Sequence, residues 1–187
     1  INHKRLFDAE CDAPTKFIVA TQGHVDHVGG VARFREKGSH FIAHANNQIC
    51  QLDDARIAKR RTAMSDIWFG HIIKDAIKLA KDFPEAFVQD TPIPDISFHC
   101  DYSFTLGGIE FELIAAPGGE TIDSLVVWLP QYKILFSGNQ FGPLFPHYPN
   151  FNTIRGDRYR FTENYLESVR TIRALGAETL ITGHGEP

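Results

Sequence analysis

Hydrophobic and polar residues follow one another along the first half of the chain in a pattern that predicts strands alternating with helices. The apolar run at 17–20 predicts a buried strand over residues 16–21. A helix is predicted over 30–37 and a second short strand over 41–44. From residue 46 to about residue 83 the periodicity is helical, and Pro84 ends that helix. The first half therefore predicts strand, helix, strand and a long helical region.

The second half predicts mainly strands. Residues 104–106 and 109–115, joined at Gly107 and Gly108, predict a hairpin, and residues 125–129 and 133–137 predict another. An amphipathic helix over 161–175 precedes a last strand over 178–182. Strands mixed with flanking helices are typical of a layered α/β fold.

Composition limits the class of protein. A chain of 187 residues supports one sizeable core, and a net charge of −4 argues against binding to nucleic acid. Cys11, Cys50 and Cys100 are odd in number and far apart, which favours reduced thiols in a cytoplasmic protein. The sequence contains no signal peptide and no apolar run of membrane-spanning length, so we expect a cytoplasmic protein without membrane contact. An upstream signal on a longer precursor stays open.

One short loop concentrates candidate chemistry. Residues 21–29 read Thr-Gln-Gly-His-Val-Asp-His-Val-Gly, directly after the first predicted strand. His24, Asp26 and His27 offer imidazole and carboxylate donors that suit zinc, iron or manganese. Three ligands in four positions cannot all face one ion, so either two metal positions or one position beside a polar wall is expected. The plain alternative is a surface loop rich in His and Asp.

The loop resembles the His-x-His-x-Asp-His signature of the metallo-β-lactamase superfamily, with Gln22 at the first His. Residues 116–121 resemble the segment that carries another ligand, with Glu120 in the manner of the alkylsulfatase branch. Asn139 replaces the carboxylate that bridges two metals, and His184 lies in a closing Gly-His-Gly. The resemblance implies an α/β fold of the αββα sandwich type.

The resemblance also sorts the ligands into two positions. Gln22, His24 and Glu120 would form the first, and the second would comprise Asp26, His27 and His184. Gln22 and Asn139 remove one strong ligand and one negative charge, which favours one divalent ion in the second position, most simply zinc, with iron or manganese as alternatives. A weaker second ion held by His24, Glu120 and Asn139 stays open, as does a site too degraded to bind metal.

Such a site implies hydrolysis of a small ester-like substrate: a sulfate ester, carboxylic ester, thioester or lactone. Asp26 would orient water, and His24 and Glu120, if free of metal, would act as general base or acid. Gln22 and Asn139 would donate hydrogen bonds to substrate or water, or would only satisfy loop backbone groups. A non-catalytic protein that keeps the fold for binding or assembly is the second hypothesis.

Two segments are candidate pocket walls. Residues 140–160 contain His147, Tyr148 and Arg155, and the arginine could clamp an anionic group or merely tie down its loop. The helical region carries Trp68, Phe69 and His71, which fit a lid or a solvated helix.

The ligand motif begins early in the chain. About twenty residues precede it, whereas members of the superfamily have several strands there. We therefore expect residues 1–187 to form one incomplete domain that lacks its N-terminal strands and carries a helical insertion at about 46–96. A second copy or a partner chain would complete the sheet, because an open edge favours pairing.

Overall fold

A computed structural model describes residues 2–84, 88–141, 151 and 156–185, with backbone alone at 2, 3, 65, 66, 68, 69, 71–73 and 76. The helices are α1 (Asn2–Glu10), α2 (Val25–Val28), α3 (Val31–Phe34), α4 (Asn47–Asp82) and α5 (Thr162–Ala174). The strands are β1 (Phe17–Val19), β2 (His40–His44), β3 (Ile96–Phe98), β4 (Asp101–Leu106), β5 (Ile109–Ala115), β6 (Leu125–Leu129), β7 (Ile134–Gly138) and β8 (Thr179–Thr182).

These strands form two sheets. The first sheet is parallel throughout and has the order β1-β2-β3. The second has the order β4-β5-β6-β7-β8, antiparallel except for the parallel pair β7 and β8. The ends of β1, β7 and β8 each lead directly into residues that carry candidate chemistry.

Three apolar clusters give the order of the layers. Ile42 and Phe98 of the first sheet meet Leu113 and Leu125 of the second in one buried cluster. Val28 and Val31 of the short helices pack with the first sheet's Ala20, Phe41 and Ala43. On the second sheet, Ile172 of α5 packs against Ala116, Val126, Trp128 and Leu135. The molecule is therefore a helix-sheet-sheet-helix sandwich, as the fold resemblance implies.

The predicted hairpins are confirmed. Leu106 pairs with Ile109 across a two-residue turn, in which Gly107 and Gly108 have φ of +60° and +80°. Two positive φ angles are what a two-residue hairpin turn requires, and glycine adopts them without steric cost. The second hairpin, the long helix, the last helix and the last strand also lie where the pattern places them.

Several predictions about elements were wrong or incomplete. The helix expected over 30–37 is only α3, because Arg35 leaves helical geometry with ψ of 125° and pairs with Asp95. Helices α1 and α2 and strand β3 were not predicted. Phe83 lies just beyond the end of α4 and is 54% exposed. Among the described residues, no helix is both long and apolar enough to cross a membrane.

Candidate metal centre

Four chain segments meet at one end of the two sheets. The segment after β1 carries Gln22, His24 and helix α2, and the turn between β5 and β6 carries Glu120. Asn139 follows β7, and His184 follows β8. Backbone hydrogen bonds fix these segments to one another, since Leu125 N donates to Thr21 O and Gly183 N donates to Gly138 O, both at 2.9 Å. Loops held by a rigid sheet in this way are common positions for functional side chains.

Asp26, His27 and His184, here called the metal trio, converge although they come from opposite ends of the sequence. Asp26 Oδ2 lies 3.5 Å from His27 Nε2 and 3.4 Å from His184 Nε2. One donor atom from each of the three residues lies within 4.8 Å of the others. The two imidazole rings meet edge to face, with centroids 5.5 Å apart.

The metal trio fits a divalent ion such as zinc. Zinc binds imidazole nitrogen and carboxylate oxygen at about 2.0–2.2 Å in a tetrahedron, which separates neighbouring donors by about 3.3 Å. The carboxylate-to-imidazole distances agree with that separation. In addition, His27 Nε2 is buried and has no hydrogen-bond partner among the described residues. A buried nitrogen without a partner is costly, so a bound cation would satisfy it.

The surroundings of His27 favour its ligand form. Burial lowers the pKa of His27, which outweighs the opposite effect of Asp26. The neutral imidazole is the form that binds metal. On the other side of the ring, Thr21 Oγ1 lies 3.4 Å from His27 Nδ1 and can fix the ring's orientation. The sequence alone did not identify Thr21 as part of the site. Its position at the end of the strand that leads into the ligands is the feature that could have indicated it.

His24 is not part of the metal trio and belongs to a second group, the Glu120 cluster, made of Glu120, Gln22, His24 and Asn139. Glu120 Oε2 accepts hydrogen bonds from Gln22 Nε2 at 3.1 Å and Asn139 Nδ2 at 3.0 Å. The same oxygen lies 3.5 Å from His24 Nδ1. Gln22 and Asn139 are only 1% and 4% exposed, so both amides are buried against this carboxylate.

In the Glu120 cluster, N–H donors face the carboxylate in place of the oxygen ligands that a second metal ion would need. Two amide N–H groups point at the carboxylate oxygen, and an amide N–H cannot ligate a cation. Without a cation, rotating either amide would bring its oxygen against the carboxylate oxygen, which would be repulsive. Asn139 Oδ1 is buried without a hydrogen-bond partner among the described residues, so this amide keeps a free acceptor.

The charge of Glu120 is set by this surrounding. Burial opposes ionisation, but hydrogen bonds from His24, Asn139 and Gln22 outweigh it and hold the pKa of Glu120 far below its usual range. Burial likewise acts to lower the pKa of His24, yet Glu120, Asp54 and Asp26 together raise the pKa above its ordinary value. The cluster is therefore built around a carboxylate that stays ionised.

A small cavity adjoins the Glu120 cluster. It has a volume of about 20 Å³, room for a water-sized molecule, and its walls include His24, Glu120, Asp53, Asp54 and Arg158. The predicted substrate-binding residues His147, Tyr148 and Arg155 lie outside the described residues. For Trp68, Phe69 and His71, the structure describes the backbone of α4 and not the side chains.

Known proteins share both sequence and fold with this chain. The family model described as "Metallo-beta-lactamase superfamily" matches residues 12–184. A linear primary-alkylsulfatase from Pseudomonas sp. (strain ATCC 19151) is 26% identical over 94% of this chain, which spans 35% of that protein's length. The chain thus covers about a third of this curated relative.

Solved structures agree with that assignment at the level of the fold. The stereoselective inverting sec-alkylsulfatase Pisa1 from Pseudomonas sp. has a TM-score of 0.73 at 18% identity, over 99% of this chain and 31% of that one. A metallo-beta-lactamase from Pontibacter korlensis has a TM-score of 0.62 at 22% identity, over 99% of this chain and 68% of that one. Because the family model matches nearly the whole chain and the observed sandwich agrees with it, this chain belongs to the metallo-beta-lactamase superfamily.

Proposed function

We propose that this chain is a metal-dependent hydrolase that holds one divalent ion in the metal trio and cleaves a small ester-like substrate. Zinc is the expected ion, with iron or manganese as alternatives that the same donors accept. The observation that carries the proposal is the convergence of the donor atoms of Asp26, His27 and His184, with both carboxylate-to-imidazole distances near the spacing of a tetrahedral metal site.

The substrate class rests on the relatives. Two similar proteins are named as alkylsulfatases, one by sequence and one by fold. A sulfate ester is therefore the first substrate to test, ahead of a carboxylic ester, a thioester and a lactone. This chain covers about a third of the alkylsulfatase that it matches by sequence, so the sulfate ester is proposed from that relative's name and not from a shared pocket.

The residues of this chain divide the work between two neighbouring groups. Asp26, His27 and His184 would hold the ion, which supplies Lewis acidity that polarises the ester and favours hydroxide over water at neutral pH. Asp26 is half exposed, with 52% of its side chain accessible, so its carboxylate can also orient water. The Glu120 cluster would set the position of His24 beside the cavity, where His24 can exchange protons with water or substrate.

Glu120 is better suited to positioning than to proton transfer. A carboxylate whose pKa is held far below its usual range is a weak base at neutral pH. Its hydrogen bonds instead fix Gln22, Asn139 and His24 relative to one another. Of the two candidate acid-base residues, His24 is therefore the one we assign to proton transfer.

A non-catalytic function is the second candidate, and one observation favours it. The Glu120 cluster satisfies its carboxylate with amide donors and so stays intact without any cation. A family member that no longer used metal would need such a substitute in the same place. The two functions differ in whether the metal trio binds an ion and whether that ion supports turnover.

The test combines metal content with turnover of alkyl sulfate, carboxylic ester, thioester and lactone substrates. Chelation should abolish hydrolysis, and added metal should restore it. His184→Ala should remove most bound metal and lower turnover by about 10²-fold or more, whereas Gln22→Ala should leave metal content near the native value. His99→Ala, which changes an exposed histidine, serves as the control for both measurements. Hydrolysis that survives both chelation and His184→Ala would contradict the proposal.

A further inference from the structure

Asp54 connects the long helix α4 to the loop that carries the metal trio. Its side chain is buried, and Asp54 Oδ2 accepts a hydrogen bond from the backbone N–H of Val25 at 3.2 Å. Arg61, seven positions along the same helix, pairs with both oxygens of this carboxylate, with Nη2 at 3.3 Å from Oδ2. The fork of Arg61 thus fixes the carboxylate that Val25 contacts.

Val25 is the first residue of helix α2 and lies between His24 and Asp26. The first N–H groups of a helix lack partners inside the helix and are normally satisfied by a side-chain cap. His24, the residue in the cap position, makes no such hydrogen bond. Asp54 supplies the acceptor from another helix instead.

Helix α2 needs this outside support because of its length. Four residues make one turn, which is too short to be stable without tertiary contacts. The same turn presents Asp26 and His27, two of the three members of the metal trio. Any displacement of its first residue would change where both donors point.

We propose that Asp54, held by Arg61, is a positioning residue that fixes the start of α2 and thereby the direction of Asp26 and His27. The expected effect on metal affinity rests on the proposed metal site. The expected effect on helix α2 rests on the hydrogen bond from Val25 to Asp54 alone. Groups that orient metal ligands from behind typically change metal affinity by about 10–100-fold when they are removed.

The neighbouring residue Asp53 provides a matched control. It has the same charge, lies on the same turn of α4 and also lines the cavity beside His24. The Asp53 carboxylate pairs with Arg56 at 2.9 Å and with Arg158 at 3.6 Å. Asp54, in contrast, contacts Arg61 and Val25. Asp53→Ala therefore removes a half-buried helix charge without removing the bond to α2.

The experiment compares Asp54→Ala with Asp53→Ala in two readouts. In chelated protein, the backbone amide of Val25 should exchange hydrogen faster in Asp54→Ala than in the native chain, and at the native rate in Asp53→Ala. In a competition titration with zinc, Asp54→Ala should bind about 10–100-fold more weakly, while Asp53→Ala should bind as the native chain does.

Two results would overturn the proposal. One is native Val25 exchange in Asp54→Ala, and the other is an equal loss of zinc affinity in both variants, since that would reflect damage to α4 as a whole. If the native chain bound no zinc, the proposed function would fail, while Val25 exchange would still decide the role of Asp54.

A milder pair of variants covers the case in which Asp54→Ala does not fold. Asp54→Asn keeps an acceptor for Val25 but loses the ion pair with Arg61, and Arg61→Gln loses the same ion pair from the other side. Both variants should exchange the Val25 amide faster and bind zinc more weakly than the native chain, but by less than Asp54→Ala does. Native exchange and native zinc affinity in both would overturn the proposal.

Discussion

Two carboxylates of the site differ in what surrounds them. Asp26 is half exposed and lies between two imidazole nitrogens, which leaves its oxygen free to share a cation with them. Only 11% of the Glu120 side chain is accessible, and N–H donors take the place that a cation would occupy. One residue therefore fits a metal ligand, and the other fits the fixed centre of a hydrogen-bonded cluster.

This difference predicts how stability depends on pH. The pKa of Glu120 in the folded chain lies far below its ordinary value of 4.5. The ionised carboxylate therefore stabilises the fold fully at pH values above 4.5. This stabilisation is lost as the pH falls from 4.5 towards the lower pKa of the folded chain. In chelated protein, the free energy of unfolding should fall more steeply between about pH 6 and pH 3 for the native chain than for Glu120→Gln. Urea denaturation at each pH measures the free energy of unfolding. If that free energy changed with pH in the same way in the native chain and in Glu120→Gln, the role assigned to Glu120 would be contradicted.

At the residue scale, the sequence was informative where the chemistry is local. His24, Asp26 and His27 could be identified because they lie within four positions of one another. Asp54 could not, because its contact with Val25 joins residues 29 positions apart and follows no helical or strand periodicity. The hydrogen bonds of Gln22 and Asn139 to Glu120 also needed the fold, although both residues stood out as departures from the family motif.

Helix α5 is fixed to the loop that leads to Glu120. Ser168 Oγ donates to Pro117 O at 2.6 Å. Gly118 has φ of +95°, and a Cβ atom there would lie 2.5 Å from Tyr165 N. The close approach of helix and loop therefore depends on a residue without a side chain.

Replacing Gly118 should disturb this contact. Gly118→Ala combines an unfavourable φ with a clash against backbone, and we expect it to lower the free energy of unfolding by at least about 1–3 kcal/mol. Gly70→Ala is the matched control, since Gly70 lies inside α4 and, among the described residues, no atom from outside its own turn of helix lies within 4 Å of its added Cβ. That variant should stabilise the chain by about 0.5–1 kcal/mol. Equal effects in urea denaturation would show that Gly118 does not set the packing of α5.

At the element scale, prediction succeeded where turn residues punctuate the pattern. Gly107 and Gly108 separate β4 from β5, and Pro84 lies just beyond the end of α4. The three-residue strand β3 and the one-turn helix α2 are too short for a periodicity to appear. Parallel pairing with β2 stabilises β3, and contacts with other elements stabilise α2. Both elements therefore form because of tertiary contacts and not because of their local sequence.

At the scale of the whole molecule, the site depends on the packing of one sheet against the other. Asp26 and His27 follow a strand of the first sheet, and His184 follows a strand of the second. The buried cluster of Ile42, Phe98, Leu113 and Leu125 holds the two sheets together. Hydrophobic pattern predicted most strands, but their arrangement in two facing sheets followed from the resemblance to a known family, because periodicity does not specify which strands pair.

We propose that the metal trio holds one ion while the Glu120 cluster holds none. Elemental analysis of the purified, unchelated chain, and of the chain after zinc addition and dialysis, tests it most directly. We predict about one metal atom per chain in both samples, since within the described part of the chain the metal trio is the one group of three His or carboxylate donors that converge closely enough to share an ion. Two atoms per chain, or none after zinc addition, would contradict the account.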